Sequence, residues 1–185
     1  GTSPAQDKKF GADGMPNGWR DDPRLFIALA EDGTVTITCH RSEMGQGVRT
    51  TLTQIAAEEL TLPMESFRLL GADTKVTPYD SSTGSSRSTT LMGTAVQKAA
   101  RDLKQQFLAI GAQAMGVKPS QVQVEDGALI CGEPRLTFQE AFERRLGKGS
   151  GGEMIGRGEA GPEITDNKLP VFWEVGMGSA EVSID

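Results

Sequence analysis

The sequence predicts an α+β protein in which helices pack on one face of a mixed β-sheet. Apolar residues recur with the period of a strand in some segments and with the period of a helix in others. These segments follow one another in the order β-β-α-β-α-β-β-α-β. The order mixes strand-to-strand hairpins with helices, which favours this fold class.

The first predicted element is a β-hairpin over residues 24–40, "RLFIALAEDGTVTITCH". The Asp-Gly pair at 32–33 is a strong signal for a tight hairpin turn. After this turn, Val35, Ile37 and Cys39 alternate with threonines. That alternation is the pattern of a strand with one face buried.

Helices alternate with a strand in the next part of the chain. Apolar residues fall at helical spacing over 48–60, and Pro63 blocks the continuation of that helix. A short strand is predicted over 66–72. A longer helix is predicted over 91–115, where Gly116 has the position of a helix-ending glycine.

The second half of the chain predicts smaller elements. A hairpin over 121–131 turns at another Asp-Gly pair, and a T-x-x-E capping box opens a helix over 137–146. Residues 147–161 are rich in glycine and read as a connector, in which "GSGG" at 149–152 resembles an inserted linker. An extended, bent strand is predicted over 171–185.

These elements divide the chain into an irregular N-terminal segment, residues 1–23, and one domain, residues 24–185. The net charge of −6 argues against a general nucleic-acid binder, which needs a basic stripe. Apolar runs stay well short of the about 18 residues that a membrane-spanning helix needs. Cys39 and Cys131 lack the spacing of metal ligands, so we expect two free thiols or one disulfide, and no metal ligands.

Two strand-to-helix junctions remain as places for chemistry, and the first is "EMGQGVRT". Gly45 and Gly47 flank Gln46 immediately before the predicted helix. A helix N-terminus offers N–H groups and partial positive charge, so the sequence predicts a site for an anion or an oxygen ligand. The amide of Gln46 can donate one hydrogen bond and accept another. The alternative is a Gly-rich tight turn with an exposed glutamine.

The second junction is "DSSTGSSRSTT", residues 80–90, which has no apolar side chain. Its hydroxyl groups, backbone N–H groups and Arg87 predict a cradle for a phosphate or for a heterocycle rich in donors and acceptors. The alternative is a flexible serine linker that ends in a Ser or Thr helix cap. Because both loops open a helix after a strand, we expect them to converge on one extended polar ligand.

Three stretches of the chain form a longer pattern, "EDGTVTITCHRSEMGQGVRTTLTQIAAEEL", "ADTKVTPYDSSTGSSRSTTLMGTAVQKAA" and "FWEVGMGSAEVSID". They resemble the large subunit of the molybdenum hydroxylases, the family of xanthine dehydrogenase, aldehyde oxidase, carbon monoxide dehydrogenase and isoquinoline 1-oxidoreductase. The resemblance covers about residues 24–185. The resemblance implies that this segment is part of a molybdopterin-binding domain, with a molybdenum-cofactor-binding-domain-like fold.

The resemblance also implies roles for individual residues. Gln46 matches the glutamine that hydrogen-bonds an oxygen ligand of molybdenum, and Gly45 and Gly47 match the glycines that let the cofactor approach. The loop that contacts the molybdopterin dinucleotide matches Gly84, Ser85, Ser86, Arg87, Ser88 and Thr89. That loop often reads G-S-R-S-T in the family, and Ser85 replaces its glycine here.

A larger assembly follows from the same resemblance. The family's catalytic base, a glutamate in another Gly-rich motif, has no match in this sequence, so we expect a fragment that folds but does not turn over alone. Expected partners are the remainder of the large subunit, an iron–sulfur subunit or domain, and an aldehyde or N-heterocyclic substrate. Members that resemble "GMPNGWRDDPRLF" are often exported, which predicts a periplasmic location, with a cytoplasmic location as the alternative. The alternative function is a non-catalytic module that binds a nucleotide or a phosphate.

Overall fold

A computed structural model describes residues 24–39, 41–71, 83, 84, 86–160 and 183. Its strands are β1 (Arg24–Ala30), β2 (Val35–Cys39), β3 (Phe67–Gly71), β4 (Gln123–Glu125), β5 (Ala128–Ile130), β6 (Arg135–Thr137) and β7 (Glu153–Glu159). Its α-helices are α1 (Val48–Leu60), α2 (Gly93–Met115) and α3 (Phe138–Leu146). A π-helical turn, Ser88–Met92, leads directly into α2, and 3-10 turns lie at Met64–Ser66 and Pro119–Gln121.

In the described residues, the larger sheet has four strands in the order β3-β2-β1-β7. The central strand β1 is antiparallel to both neighbours, and Ile27 faces Ile37 of β2 on one side and Gly156 of β7 on the other. Strand β3 is parallel to β2. The sheet is therefore mixed, as predicted, and the predicted hairpin over 24–40 is its β1–β2 pair.

Helices α1 and α2 cover one face of this sheet, which agrees with the predicted arrangement. The side chains of β2 alternate between buried and partly buried positions, as a strand with one covered face requires. Helix α2 packs mainly on β7 and β1, and α1 packs beside it near β3. The buried core includes Ile27, Leu29, Val35, Ile37, Cys39, Leu52, Leu60, Met92, Leu103 and Phe107.

A second, smaller sheet packs against the far part of α2. Its three antiparallel strands have the order β4-β5-β6, of which the sequence predicted the β4–β5 hairpin but not β6. Gly111 of α2 lies so close to this sheet that a Cβ there would be 2.9 Å from Cδ1 of Leu129. The rings of Phe107 and Phe138 stack with centroids 4.4 Å apart, which joins α3 to the same core.

Strand β7 corrects the interpretation of residues 147–161 as one irregular connector. Residues 147–152, before β7, form a loop, whereas residues 153–159 pair along the whole length of β1. The buried positions of β7 include Gly156 and Gly158, and a Cβ on either would overlap backbone atoms of α2. These glycines are strand residues that let the helix approach the sheet.

The outer edge of β7 is covered by two side chains of α2. Oδ2 of Asp102 accepts the N–H of Arg157 at 3.0 Å, and Nε2 of Gln106 donates to the carbonyl of Ile155 at 2.8 Å. The same Nε2 donates to Oδ2 of Asp102 at 3.2 Å. One carboxylate and one amide thus take the place of backbone partners on this strand.

The remaining helix predictions differ from the structure in small ways. The helix predicted over 91–115 begins as the π-helical turn and becomes α-helical at Gly93, and Gly116 ends it with a φ of 68°. The predicted capping box holds, since Thr137 and Glu140 bond each other's backbone N–H groups at the start of α3.

Residues 1–23, His40 and the predicted strand over 171–185, apart from its residue 183, lie outside the described residues. None of the helices in the described part of the chain has the length and apolar character to span a bilayer.

Candidate functional site

The loop between β2 and α1 owes its glycines to backbone conformation. Gly45 has a φ of 94° and Gly47 a φ of 76°, values that side chains with a Cβ rarely adopt. A Cβ on either residue would meet no atom of the described residues within 4 Å. The glycines therefore let the chain turn sharply into α1, and the described residues leave space beside them.

Glu43 closes the N-terminus of α1 from within the same loop. Its Oε1 accepts the N–H groups of Gly45 at 2.9 Å and Gly47 at 3.0 Å, and its Oε2 accepts that of Arg49 at 3.1 Å. These bonds, first that from Arg49 and then that from Gly47, hold the pKa of Glu43 below its usual value. Glu43 therefore takes N–H groups that an outside anion could otherwise use at this helix end, and the predicted site for an anion or an oxygen ligand stays a prediction.

Gln46 is exposed, and its amide is oriented by the loop. Oε1 accepts the N–H of Met44 at 2.6 Å, and Nε2 donates to the carbonyl of Ser42 at 2.9 Å. These opposite partners define which end of the amide is oxygen and which is nitrogen. With respect to the described residues, one N–H and one lone pair of this amide remain, which an outside group could use.

The junction before α2 is also built from polar residues. It carries the cationic side chain of Arg87, whereas the first loop carries the carboxylate of Glu43. The N–H of Arg87 donates to the carbonyl of Gly84 at 3.4 Å, and Ser86 has a left-handed φ of 53°. Arg87 stands at the N-terminal end of the π-helical turn, which contains Ser88 and the exposed Thr89. The guanidinium of Arg87 has only donors, so the residues of this helix start favour an anion. Ser85 lies outside the described residues.

Among the described residues, a hydrogen bond joins the two junctions. The N–H of Ser42, in the first loop, donates to Oγ1 of Thr83, in the second loop, at 2.8 Å. The helices behind them also touch, since a Cβ on Gly93 would be 2.9 Å from Cδ1 of Ile55. The structure therefore brings the loop of Gly45, Gln46 and Gly47 next to the loop of Gly84 and Ser86–Thr89.

Sequence reasoning missed the two residues that organise this site, Glu43 and Thr83. The spacing of Glu43 from the glycines was a usable signal, because a glutamate just before a helix start can reach its N–H groups. Thr83 carried no such signal, because its partner Ser42 is 41 positions away. In the described residues, no three His, Cys, Asp or Glu side chains form a group that could hold a metal ion.

A molybdopterin dinucleotide fits the residues of both loops. The first loop offers open space beside two glycines and an oriented neutral amide, which suits an oxygen atom. The second loop offers hydroxyl groups and Arg87, which suit a phosphate.

Comparison with known proteins gives consistent matches. A nicotinate dehydrogenase subunit of Pseudomonas putida is 33% identical over 120 residues, which cover 64% of this chain and 10% of that protein. The nicotine 6-hydroxylase large subunit of Paenarthrobacter nicotinovorans is 27% identical over 148 residues, which cover 80% of this chain and 15% of that protein. The chain therefore spans only a small part of the length of these relatives.

Two solved structures share the fold. Cu,Mo-carbon monoxide dehydrogenase matches with a TM-score of 0.63 and 26% identity over 75% of this chain and 18% of its own. Quinoline 2-oxidoreductase of Pseudomonas putida 86 matches with a TM-score of 0.64 and 21% identity over 77% of this chain and 19% of its own. These matches confirm the predicted fold class.

A family model described as "Molybdopterin cofactor-binding domain" matches residues 9–185, nearly the whole sequence. It agrees with the fit of the two loops and confirms molybdopterin with molybdenum as the predicted cofactor class. The chain belongs to the molybdopterin cofactor-binding domain family.

Proposed function

We propose that this chain forms part of the molybdopterin dinucleotide site of a molybdenum-dependent hydroxylase. The whole enzyme would oxidise an aldehyde or an N-heterocycle with oxygen derived from water. The observation that carries the proposal is the hydrogen bond between Ser42 and Thr83, which joins a loop with an oriented amide to a loop with an arginine. The names of the relatives support the substrate class, since nicotinate and nicotine are N-heterocycles.

The two loops suit different parts of the ligand because their charges differ. The carboxylate of Glu43 sits at the start of α1, so this loop disfavours a second anion and suits a neutral or weakly charged oxygen. Arg87 and the hydroxyl groups around it favour the phosphates. We infer that the metal end of the cofactor faces Gln46 and that the phosphate end faces Arg87.

When bound, the cofactor supplies the electron acceptor and the oxygen-transfer chemistry of the reaction. The chain's own residues bind and orient it. Gly45 and Gly47 leave space, and Gln46 offers one N–H and one lone pair to an oxygen of the bound group. Gly84, Ser85, Ser86, Arg87, Ser88 and Thr89 hold the dinucleotide part. Gln46 is the residue we assign to the reacting end.

Turnover requires further protein in this proposal. The base that activates the attacking oxygen, the remainder of the large subunit and an iron–sulfur subunit or domain would come from outside this sequence. The 6-hydroxypseudooxynicotine dehydrogenase complex, whose gamma subunit is 31% identical over 102 residues, is named as a complex of subunits, which supports this organisation. The periplasmic location stays a prediction.

The test uses the full-length enzyme that contains this chain, co-expressed with its electron-transfer partner. Gln46→Ala and Arg87→Ala are compared with Gln113→Ala and Arg145→Ala, which change the same residue types at exposed positions on α2 and α3. We expect Gln46→Ala to lower turnover while molybdenum stays bound, and Arg87→Ala to lower bound pterin and molybdenum. Normal turnover and metal content in both site variants would refute the proposal.

The alternative of a non-catalytic nucleotide- or phosphate-binding module is not favoured, because the matched relatives are oxidoreductases. It makes a distinct prediction for the same material. Protein that binds ADP or inorganic phosphate with equal affinity in the presence and absence of the molybdenum cofactor, and whose binding needs Arg87 but not Gln46, would support it.

A further inference from the structure

Two side chains share the backbone of the loop 42–47 in an interleaved pattern. Glu43 reaches forward and accepts the N–H groups of Gly45, Gly47 and Arg49. Gln46 reaches backward and binds the N–H of Met44 and the carbonyl of Ser42. Each side chain therefore holds the stretch of backbone from which the other one projects.

The position of Gln46 depends directly on the bonds of Glu43. Gln46 lies between the two glycines, and Oε1 of Glu43 accepts the N–H groups of both of them. Positive φ at both glycines allows these N–H groups to converge on one oxygen, as in an anion-binding nest. Glycine has the greatest backbone freedom of any residue type. The carboxylate of Glu43 therefore fixes the part of the loop whose backbone would otherwise be most flexible.

We propose that Glu43 is a positioning residue for Gln46. It keeps the Gln46 amide aimed outward, with its nitrogen toward Ser42, through hydrogen bonds to the flanking glycines and to the first turn of α1. Glu43 itself does not touch the cofactor in this role. The proposal rests on the function proposed above, because it assigns Glu43 to the geometry of the residue that faces the metal end of the cofactor.

A purely structural role for Glu43, as a cap of α1, makes a different prediction. Capping stabilises a helix wherever the helix is, and Glu140 performs that task at α3, where it accepts the N–H of Thr137 at 2.8 Å. Glu140→Gln is therefore a matched control for Glu43→Gln. If Glu43 only caps a helix, both variants should lower stability and neither should change the metal centre.

The experiment uses the assembled, metal-loaded enzyme with Glu43→Gln, Glu43→Asp, Gln46→Ala and Glu140→Gln. Molybdenum content, thermal midpoint, kcat, KM and the electron paramagnetic resonance signal of molybdenum are measured for each. For Glu43→Gln we expect kcat to fall by about 10–100-fold, the loss typical of a residue that orients a metal-facing group, with a changed resonance signal and KM and metal content kept. Glu140→Gln should keep the kcat and signal of the unmodified enzyme. Glu43→Asp keeps the negative charge on a shorter side chain, so its kcat should lie between those of Glu43→Gln and Glu140→Gln.

A double variant separates this inference from the proposed function. If Glu43 acts through Gln46, adding Glu43→Gln to Gln46→Ala should cause little further loss of kcat. Fully additive losses, or an unchanged resonance signal in Glu43→Gln and Glu43→Asp, would overturn the inference while a slow Gln46→Ala enzyme still supports the proposed function. A Gln46→Ala enzyme with normal kcat would overturn both. If Glu43→Gln fails to assemble, the signal and kcat of Glu43→Asp decide the question by the same criteria.

Discussion

Gly158 of β7 lies directly against the carbonyl group of Ala95 in α2. A Cβ on Gly158 would overlap this carbonyl, and neighbouring Gly156 has the same relationship to the carbonyl of Ala99. Both glycines occupy buried positions of the strand. The distance between the helix and the sheet is therefore set by residues without side chains.

Gly158→Ala should destabilise the fold because the added methyl group has no space and backbone atoms cannot move aside. We expect a loss of about 1–3 kcal/mol or more in the free energy of unfolding. Chemical denaturation of Gly158→Ala and of a control variant, Gly152→Ala, measures this loss of stability. A Cβ on Gly152 would lie 3.4 Å from a flexible leucine side chain, so this variant should unfold close to the unmodified protein. Equal stability of the two variants would contradict the packing described for α2.

Thr83→Val should weaken the connection between the two loops. Valine keeps the shape of threonine but has no oxygen to accept the N–H of Ser42. We expect a stability loss of about 0.5–1.5 kcal/mol and lower retention of pterin and molybdenum in the assembled enzyme. Metal analysis after gel filtration measures the retention. Thr53→Val is the control, since Thr53 donates only to Arg49 of its own helix. Equal metal content in the two variants would contradict a role for the loop connection.

Gln46→Glu should be more harmful than Gln46→Ala, although glutamate is closer in shape. One carboxylate oxygen would face the carbonyl oxygen of Ser42, which now accepts a hydrogen bond at 2.9 Å. The new negative charge would also lie beside Glu43. We expect Gln46→Glu to lower both metal retention and turnover, whereas Gln46→Ala lowers turnover alone. Metal analysis and initial rates distinguish the two, and better retention in Gln46→Glu would contradict the amide orientation.

Acid should loosen the first loop through Glu43. Its pKa is lower in the folded protein than in the unfolded chain, chiefly because of the hydrogen bond from Arg49 N–H, so its contribution to stability is complete above the usual pKa of 4.5. That contribution is lost as the pH falls through the lower, folded-state pKa. Thermal midpoints measured from neutral to acidic pH should therefore converge for the unmodified protein and Glu43→Gln. A difference that stays constant down to strongly acidic pH would contradict this assignment.

Local patterns predicted the elements whose determinants are close in sequence. The bounds of α1, Val48–Leu60, agree with the helical period and with the block at Pro63. The cap of α3 was visible as a four-residue motif. Both features depend on interactions within a few residues, which a single sequence displays directly.

Contacts between residues distant in the sequence could not be predicted from such local patterns. Strand β7 has glycine at two buried positions because α2 packs on them, so these positions lack the apolar side chains whose alternation identifies a strand. The reason lies in Ala95 and Ala99, more than fifty positions earlier. Similarly, the sequence predicted that two loops converge, but the bond between Ser42 and Thr83 needed three-dimensional coordinates.

The hydrogen bonds of Asp102 and Gln106 to β7 affect whether a strand of another protein can pair with β7. A foreign strand that adds to β7 would first have to remove an amide from the Ile155 carbonyl and a carboxylate from the Arg157 N–H. In the part of the chain that the structure describes, β7 is thus the last strand of its sheet, and two of its outward backbone groups are already bonded. We expect these two bonds to disfavour edge-to-edge pairing of another strand with β7.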